Sequence, residues 1–279
     1  MVQVIDVHAH PPLPAFLQRS GGAYVRAAEA YFRTRFEPVG LDAMMKHYDG
    51  LGIGRAVLLG WDGERATGLP ALPNDTLVEA VRDHPSFFVG FAGVDPLRSK
   101  ALEELERCAR LGLRGVKLHP TGQDVVPDDP ALAPFWRRCE DLGLVVLVHT
   151  GVTGLGAGAP GGLGLRLEPS RPLHLDAVAA RFPALQIVAA HAGWPWHDEL
   201  LAIAMHKANV WVDVSGWVPR YLPQVVWDYA NGPLKRKVLF GSDYPFVEPG
   251  RVLEGLRDVL KPEVQPLVLG ENAERLLAR

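Results

Sequence analysis

The amino-acid sequence predicts an α/β protein built as a single (β/α)8 TIM barrel. Three observations predict it. A short run rich in Val, Ile and Leu, a polar turn and a helical pattern recur along the 279 residues. The unit recurs eight times, which is the count and size of a closed parallel barrel. His8, His10, His119, His149, His191 and Asp243 all fall at or just past the carboxyl ends of these apolar runs, the rim where such barrels keep their chemistry.

The strands follow in order. Val2–Val7 is the first. A helix over Leu41–Leu51 leads to Arg55–Leu59, and one near Asp75–Asp83 to Phe87–Val94. Lys100–Leu111 precedes the fourth strand, Gly115–Leu118, and Ala131–Leu142 precedes the fifth, Val145–Val148. Leu173–Arg181 leads to Gln186–Ala190, His197–Met205 to Val210–Val214, and Tyr221–Tyr229 to Lys237–Phe240. A closing helix spans Gly250–Leu260, and Asn272–Leu277 forms a last turn. Gly112 and Gly143 fall where a left-handed C-terminal residue is wanted, and Pro85 and Pro183 lie where a helix cannot continue. Near-continuous apolar strands between helices mean a parallel sheet covered on both faces. An open doubly wound sheet would carry a Gly-rich phosphate turn after its first strand; here that strand ends in His-Ala-His-Pro-Pro.

Composition sets the limits. Hydrophobic residues make up 48% and charged residues 22%, with a net charge of −3, so a single domain over residues 1–279 can bury a large core without staples. Interspersed charges leave no footprint for nucleic acid and no basic helix for a membrane surface. Lys235, Arg236 and Lys237 read as a solvated loop before a strand. Cys108 and Cys139 lie in amphipathic helices without metal-site spacing and read as packed free thiols. The N-terminus enters a strand at once, with no secretory signal pattern, and no apolar run reaches membrane-span length. A cytoplasmic location is expected.

Two irregular stretches leave the carboxyl ends of strands. Pro11–Pro38 follows the first strand, with helical character over Ala23–Arg35. Gly151–Pro172 follows the fifth and is rich in glycine. Long loops in a compact domain are usually functional, and these two read as a cap and a flexible rim over a pocket. A plain surface loop is the other reading of the second.

His8 and His10, two apart on a strand, point to one face, which in a barrel is the interior. Two inward imidazoles pack poorly as core but ligate metal well. His149 closes Val-Val-Leu-Val, His191 closes Ile-Val-Ala-Ala, and Asp243 follows Val-Leu-Phe-Gly-Ser. Singly, each also fits a capping residue. Together, imidazoles and a carboxylate suit one divalent ion, Zn2+ first, with Mn2+ or Fe2+ as alternatives. Lys117 and His119 share one face of the fourth strand; a barrel-lining lysine paired with a carboxylate is the competing reading. Trp61, Trp194, Trp196 and Trp217 follow strands and either wall a pocket or pack loops. Arg166, Arg171 and Arg220 lie on rim loops; they could hold a substrate carboxylate, but a surface arginine is the commoner reading of each.

The ordered set Asp-Val-His-Ala-His (6–10), Gly-Val-Lys-Leu-His-Pro (115–120), His-Thr-Gly (149–151), Ala-His-Ala-Gly (190–193), Asn-Val-Trp-Val-Asp-Val-Ser-Gly (209–216) and Phe-Gly-Ser-Asp-Tyr-Pro (240–245) resembles the amidohydrolase superfamily. The resemblance is to its amidohydrolase-related branch, which includes 2-amino-3-carboxymuconate-6-semialdehyde decarboxylase. It implies His8, His10, His149 and Asp243 as ligands of one metal. It also implies His191 and Asp243 as the proton-handling catalytic pair, with Lys117, His119, Trp61, Trp194 and Trp217 around the substrate. A small-molecule substrate and a homodimer follow from the same likeness. The expected reaction is attack by metal-activated water on an ester, lactone or amide of a small organic acid. The alternative is metal-dependent, non-oxidative decarboxylation of an aromatic or muconate-type acid.

Overall fold

The computed structural model describes residues 3–278. Val2, assigned to the first strand from sequence, lies outside the described residues. Eight parallel strands run in the order β1 to β8: Val4–Ala9, Ile53–Leu59, Phe88–Gly93, Gly115–Leu118, Val145–Val148, Ile187–Ala189, Val210–Asp213 and Val238–Leu239. The two ends of the sheet meet. Val7 N–H donates to the Phe240 carbonyl, Asp243 N–H to the His8 carbonyl and His10 N–H to the Tyr244 carbonyl, at 3.0, 2.8 and 2.7 Å. The result is a (β/α)8 barrel. Among the described residues, no helix is long and apolar enough to cross a membrane.

Most predicted helices form within a few residues of their expected bounds, and Gly112 and Gly143 take the left-handed conformation foreseen for them. Two helices start later. Leu222 and Pro223 delay the predicted Tyr221–Tyr229 helix to Gln224–Ala230, behind a separate 3-10 turn at Pro219–Tyr221. The expected Ala131–Leu142 helix is Ala133–Asp141, again behind a 3-10 turn. The cap after β1 holds a π-helical turn at Ala15–Ser20 and a helix at Gly22–Phe32.

Strand alternation divides the core in two. Outward residues such as Ala56, Leu58, Val116, Val146, Ile187 and Val212 pack against the helices. Inward residues Ile5, Val7, Val57, Leu59, Val89, Phe91, Val145, Leu147, Val188, Trp211 and Leu239 fill the barrel, closed at its amino end by Ala273 and Leu276. Burying a large apolar side chain contributes about 1.5–3 kcal/mol, so this axis anchors the strands whose upper ends carry the site. A third cluster of Phe16, Leu17, Trp61 and Leu72, with Phe36, Leu155 and Phe246 against it, lies over the carboxyl end.

Candidate metal centre

Continuing each strand's alternation upward places Lys117 above Gly115, His149 above Leu147, Asp213 above Trp211, and Asp243 above Leu239 and Gly241. All four positions are inward. His8 and His10 need an added device. With Ile5 and Val7 inward, plain alternation would turn both histidines out. However, three steps of β1 from Asp6 to Ala9 oppose two steps of β2 from Ala56 to Leu58. The extra residue is a bulge that switches the face of the strand. It leaves Ala9 packed outward and brings the imidazoles in. His191 follows inward Ala190, so it too should point out; instead it and Ala192 take φ of 60° and 50°. Asp243 has φ of 73°. Side-chain-bearing residues rarely adopt this left-handed region, and such strain concentrates at functional sites.

The side chains converge. His8 Nε2 lies 3.3 Å and His10 Nε2 3.5 Å from Asp243 Oδ1. Among the described residues, His8, His10 and Asp243 form a group whose ligand atoms all fall within 4.8 Å of one another. Lys117 Nζ is 3.1 Å from His8 Nε2. The His191 ring stands 4.8 Å from that of His8 and 4.6 Å from that of His149. His149 is therefore adjacent to the three-residue cluster rather than inside it. It stacks on His119, centroids 3.8 Å apart. His119 Nδ1 accepts from Gly122 N–H at 3.0 Å, which leaves Nε2 as the protonated nitrogen, 3.4 Å from Thr153 Oγ1. Trp61 meets the His119 ring edge-on at 5.2 Å, and Phe16 stacks on His10 at 4.8 Å.

Two residues that sequence reasoning did not single out complete the centre. Asp213 Oδ2 accepts from His8 Nδ1–H at 2.7 Å and from the Ser215 hydroxyl at 2.7 Å. A carboxylate behind a ligating histidine fixes its tautomer and presents Nε2 to a metal. The available signal was the same one that marked the histidines: a polar residue closing the apolar run of β7. The approach is close because residue 241 is glycine. A Cβ there would lie 2.3 Å from Asp213 Oδ1 and 2.8 Å from His8 Cβ.

Electrostatics follow from burial. His8, His119 and His149 are driven well below their ordinary pKa by desolvation, and His10 is lowered for the same reason. Burial lowers His191 to about 4, against the charge of Asp243. It also lowers Lys117 to about 8 and raises Asp213 to about 7. Neutral imidazoles are the form that binds metal. His149 Nε2 is buried without a hydrogen-bond partner, a costly state for a polar atom. An N/O donor set with an orphaned imidazole nitrogen beside it fits a divalent cation.

Trp194 and Trp217 are only half-buried and pack on each other, centroids 4.9 Å apart. The three rim arginines are engaged outside the centre. Arg166 pairs with Asp124 at 2.6 Å, Arg171 with Glu199 at 2.5 Å, and Arg220 lies over the Tyr221 ring. These partners match the reading of the three as surface arginines.

Barrel, inward rim histidines and carboxylate together define an enzyme of the amidohydrolase class. The chain belongs to the amidohydrolase family Amidohydro_2, whose model matches residues 5–279. Members of this family are metal-dependent. The chain is 27% identical over 236 residues to 2-amino-3-carboxymuconate-6-semialdehyde decarboxylase of Dictyostelium discoideum, covering 73% of this chain and 65% of that relative's length. An uncharacterized TIM-barrel protein from Bordetella bronchiseptica superposes with a TM-score of 0.83 at 26% identity, over 99% of both chains. A probable 2-pyrone-4,6-dicarboxylic acid hydrolase from Acinetobacter baumannii superposes at 0.72, over 99% of this chain and 100% of the other. At 18% identity it shares the fold.

Proposed function

We propose that the chain is a metal-dependent hydrolase acting on an ester, lactone or amide of a small organic acid. The balance of proton acceptors and donors at the centre carries this reading. His8, His10, His149 and His191 are all held toward the neutral form by burial, beside the Asp243 carboxylate. Neutral imidazoles beside a carboxylate supply the acceptors for a reaction that begins by taking a proton from water, and the buried Lys117 beside them is the cationic donor.

His8, His10, His149 and Asp243 would hold one divalent cation, with Zn2+ suiting the donor set and Mn2+ or Fe2+ as alternatives. Such an ion supplies Lewis acidity, polarising a substrate oxygen and lowering the pKa of water. Asp243 takes a proton from the attacking water, and His191 carries a proton between that side of the site and the leaving group. Lys117, the buried cationic side chain among the described residues, and His119 through Nε2–H would bind oxygen atoms of the acid. The cluster of Phe16, Trp61 and Leu72 excludes bulk water, which strengthens every polar contact beneath it.

A second reading is decarboxylation of an aromatic or unsaturated acid. Two observations favour it: the name of the curated relative, and Lys117 as a proton source for carbon beside the same centre. One paired assay separates the readings. Metal-loaded protein is incubated with a lactone, ester and amide panel, and with hydroxybenzoates and carboxymuconate-like acids, while acid and CO2 release are followed. Turnover of the first panel without CO2 supports hydrolysis. Activity confined to the second panel, with CO2 released, overturns it.

A further inference from the structure

Ser215 is the hub of a buried network that neither the ligand set nor the hydrolytic reading uses. Its backbone N–H donates to Asp213 Oδ1 at 2.9 Å. Its Oγ lies 2.7 Å from Asp213 Oδ2, 3.0 Å from His8 Nδ1 and 3.0 Å from His191 Nδ1. Ser215 and Asp213 are both completely buried. His191 is brought against this hub by backbone geometry: Gly216 has φ of 76°, and a Cβ there would lie 2.5 Å from His191 Nδ1.

We infer that Ser215 is a positioning residue: it links Asp213 to His191 and holds His191 as the Nδ1–H tautomer, leaving its Nε2 lone pair free. This rests on the reading of His191 as the proton carrier. A count of protons supports it. The Ser215 hydroxyl has one proton, and its shortest contact is to the Asp213 carboxylate, the stronger acceptor. With that proton committed, Ser215 Oγ can only accept from the imidazole. His191 Nδ1 must then carry the hydrogen, and Nε2 becomes the acceptor. His8 is fixed in the same sense by its direct 2.7 Å contact to Asp213 Oδ2. One carboxylate thereby sets two imidazoles, His8 directly and His191 through a hydroxyl. Such supporting partners are typically worth 10- to 100-fold in activity or metal affinity.

The test reads the tautomer without turnover. Long-range 1H–15N correlation spectra are recorded on 15N-labelled, Zn2+-loaded protein, with His191 assigned by its loss in His191→Gln. Wild type and Ser215→Thr are expected to show a protonated Nδ1 and a bare Nε2. Ser215→Ala is expected to lose that pattern, keep its Zn2+, and drop kcat by about 10- to 100-fold with KM unchanged on any substrate that turns over. A His191 protonated on Nε2 in wild type overturns the inference, as does an unchanged His191 pattern in Ser215→Ala. Failure of the hydrolytic reading alone would leave the tautomer intact, so the two results are separable.

Discussion

The two halves of the barrel interior are built from the same strands by opposite rules. The amino-terminal half is filled with aliphatic and aromatic side chains and closed by Ala273 and Leu276. Apart from a register shift between Val4 and Ile5, it follows plain alternation. The carboxyl-terminal half carries His8, His10, Lys117, His149, His191, Asp213, Ser215 and Asp243, nearly all buried. Here the departures cluster: a bulge in β1 and left-handed backbone at His191, Ala192 and Asp243. The bulge re-aims His8 and His10, and the left-handed backbone re-aims His191, toward the point that Asp243 already faces. The lower half contributes apolar burial to folding, and the upper half holds polar groups that would be unfavourable as core.

Four perturbations break or sharpen that contrast, in falling order of their effect on turnover. Dialysis against a chelator should lower turnover by at least about 1,000-fold, given the several kcal/mol a Lewis acid supplies; restoration by Zn2+ or Mn2+ checks that the fold survived. His191→Asn should retain metal and lose about 100- to 10,000-fold in kcat, so metal analysis and steady-state kinetics on one preparation assess both halves of the statement. Gly241→Ala sets a methyl group against Asp213 and His8 and should weaken metal binding by about 10- to 100-fold, read by competition with a chromophoric chelator. Leu276→Ala, at the opposite end, should change turnover by less than about twofold while costing about 2–5 kcal/mol of stability, measured by urea unfolding. Loss of metal from folded Leu276→Ala protein would show that the two halves are not separable.

Much of this was legible in the sequence. Short, near-continuous apolar runs, spaced by helical patterns, located all eight strands, and polar residues closing those runs marked His149, His191 and Asp243. What stayed hidden depends on contacts distant in sequence. His8 and His10 were expected to share an inward face, but the bulge that puts them there is set by pairing with β2, 49 and 50 residues on. His191 reaches the centre through a φ that no propensity predicts. Asp213 and Ser215 closed β7 in the same way as the histidines closed their strands, yet their partner His8 lies over 200 positions away. The rim arginines sit in surface pairs whose partners, Asp124 and Glu199, are set by tertiary neighbours that no local pattern names.

The most direct test is metal content per chain by elemental analysis of wild type, His8→Ala and Asp243→Asn, purified alike and confirmed folded by circular dichroism. One equivalent of a divalent transition metal in wild type, with most of it lost from both variants, is the predicted result. Full metal retention in both variants, or no metal uptake by folded wild type in excess Zn2+, Mn2+ or Fe2+, would contradict the assignment of this rim as a metal centre.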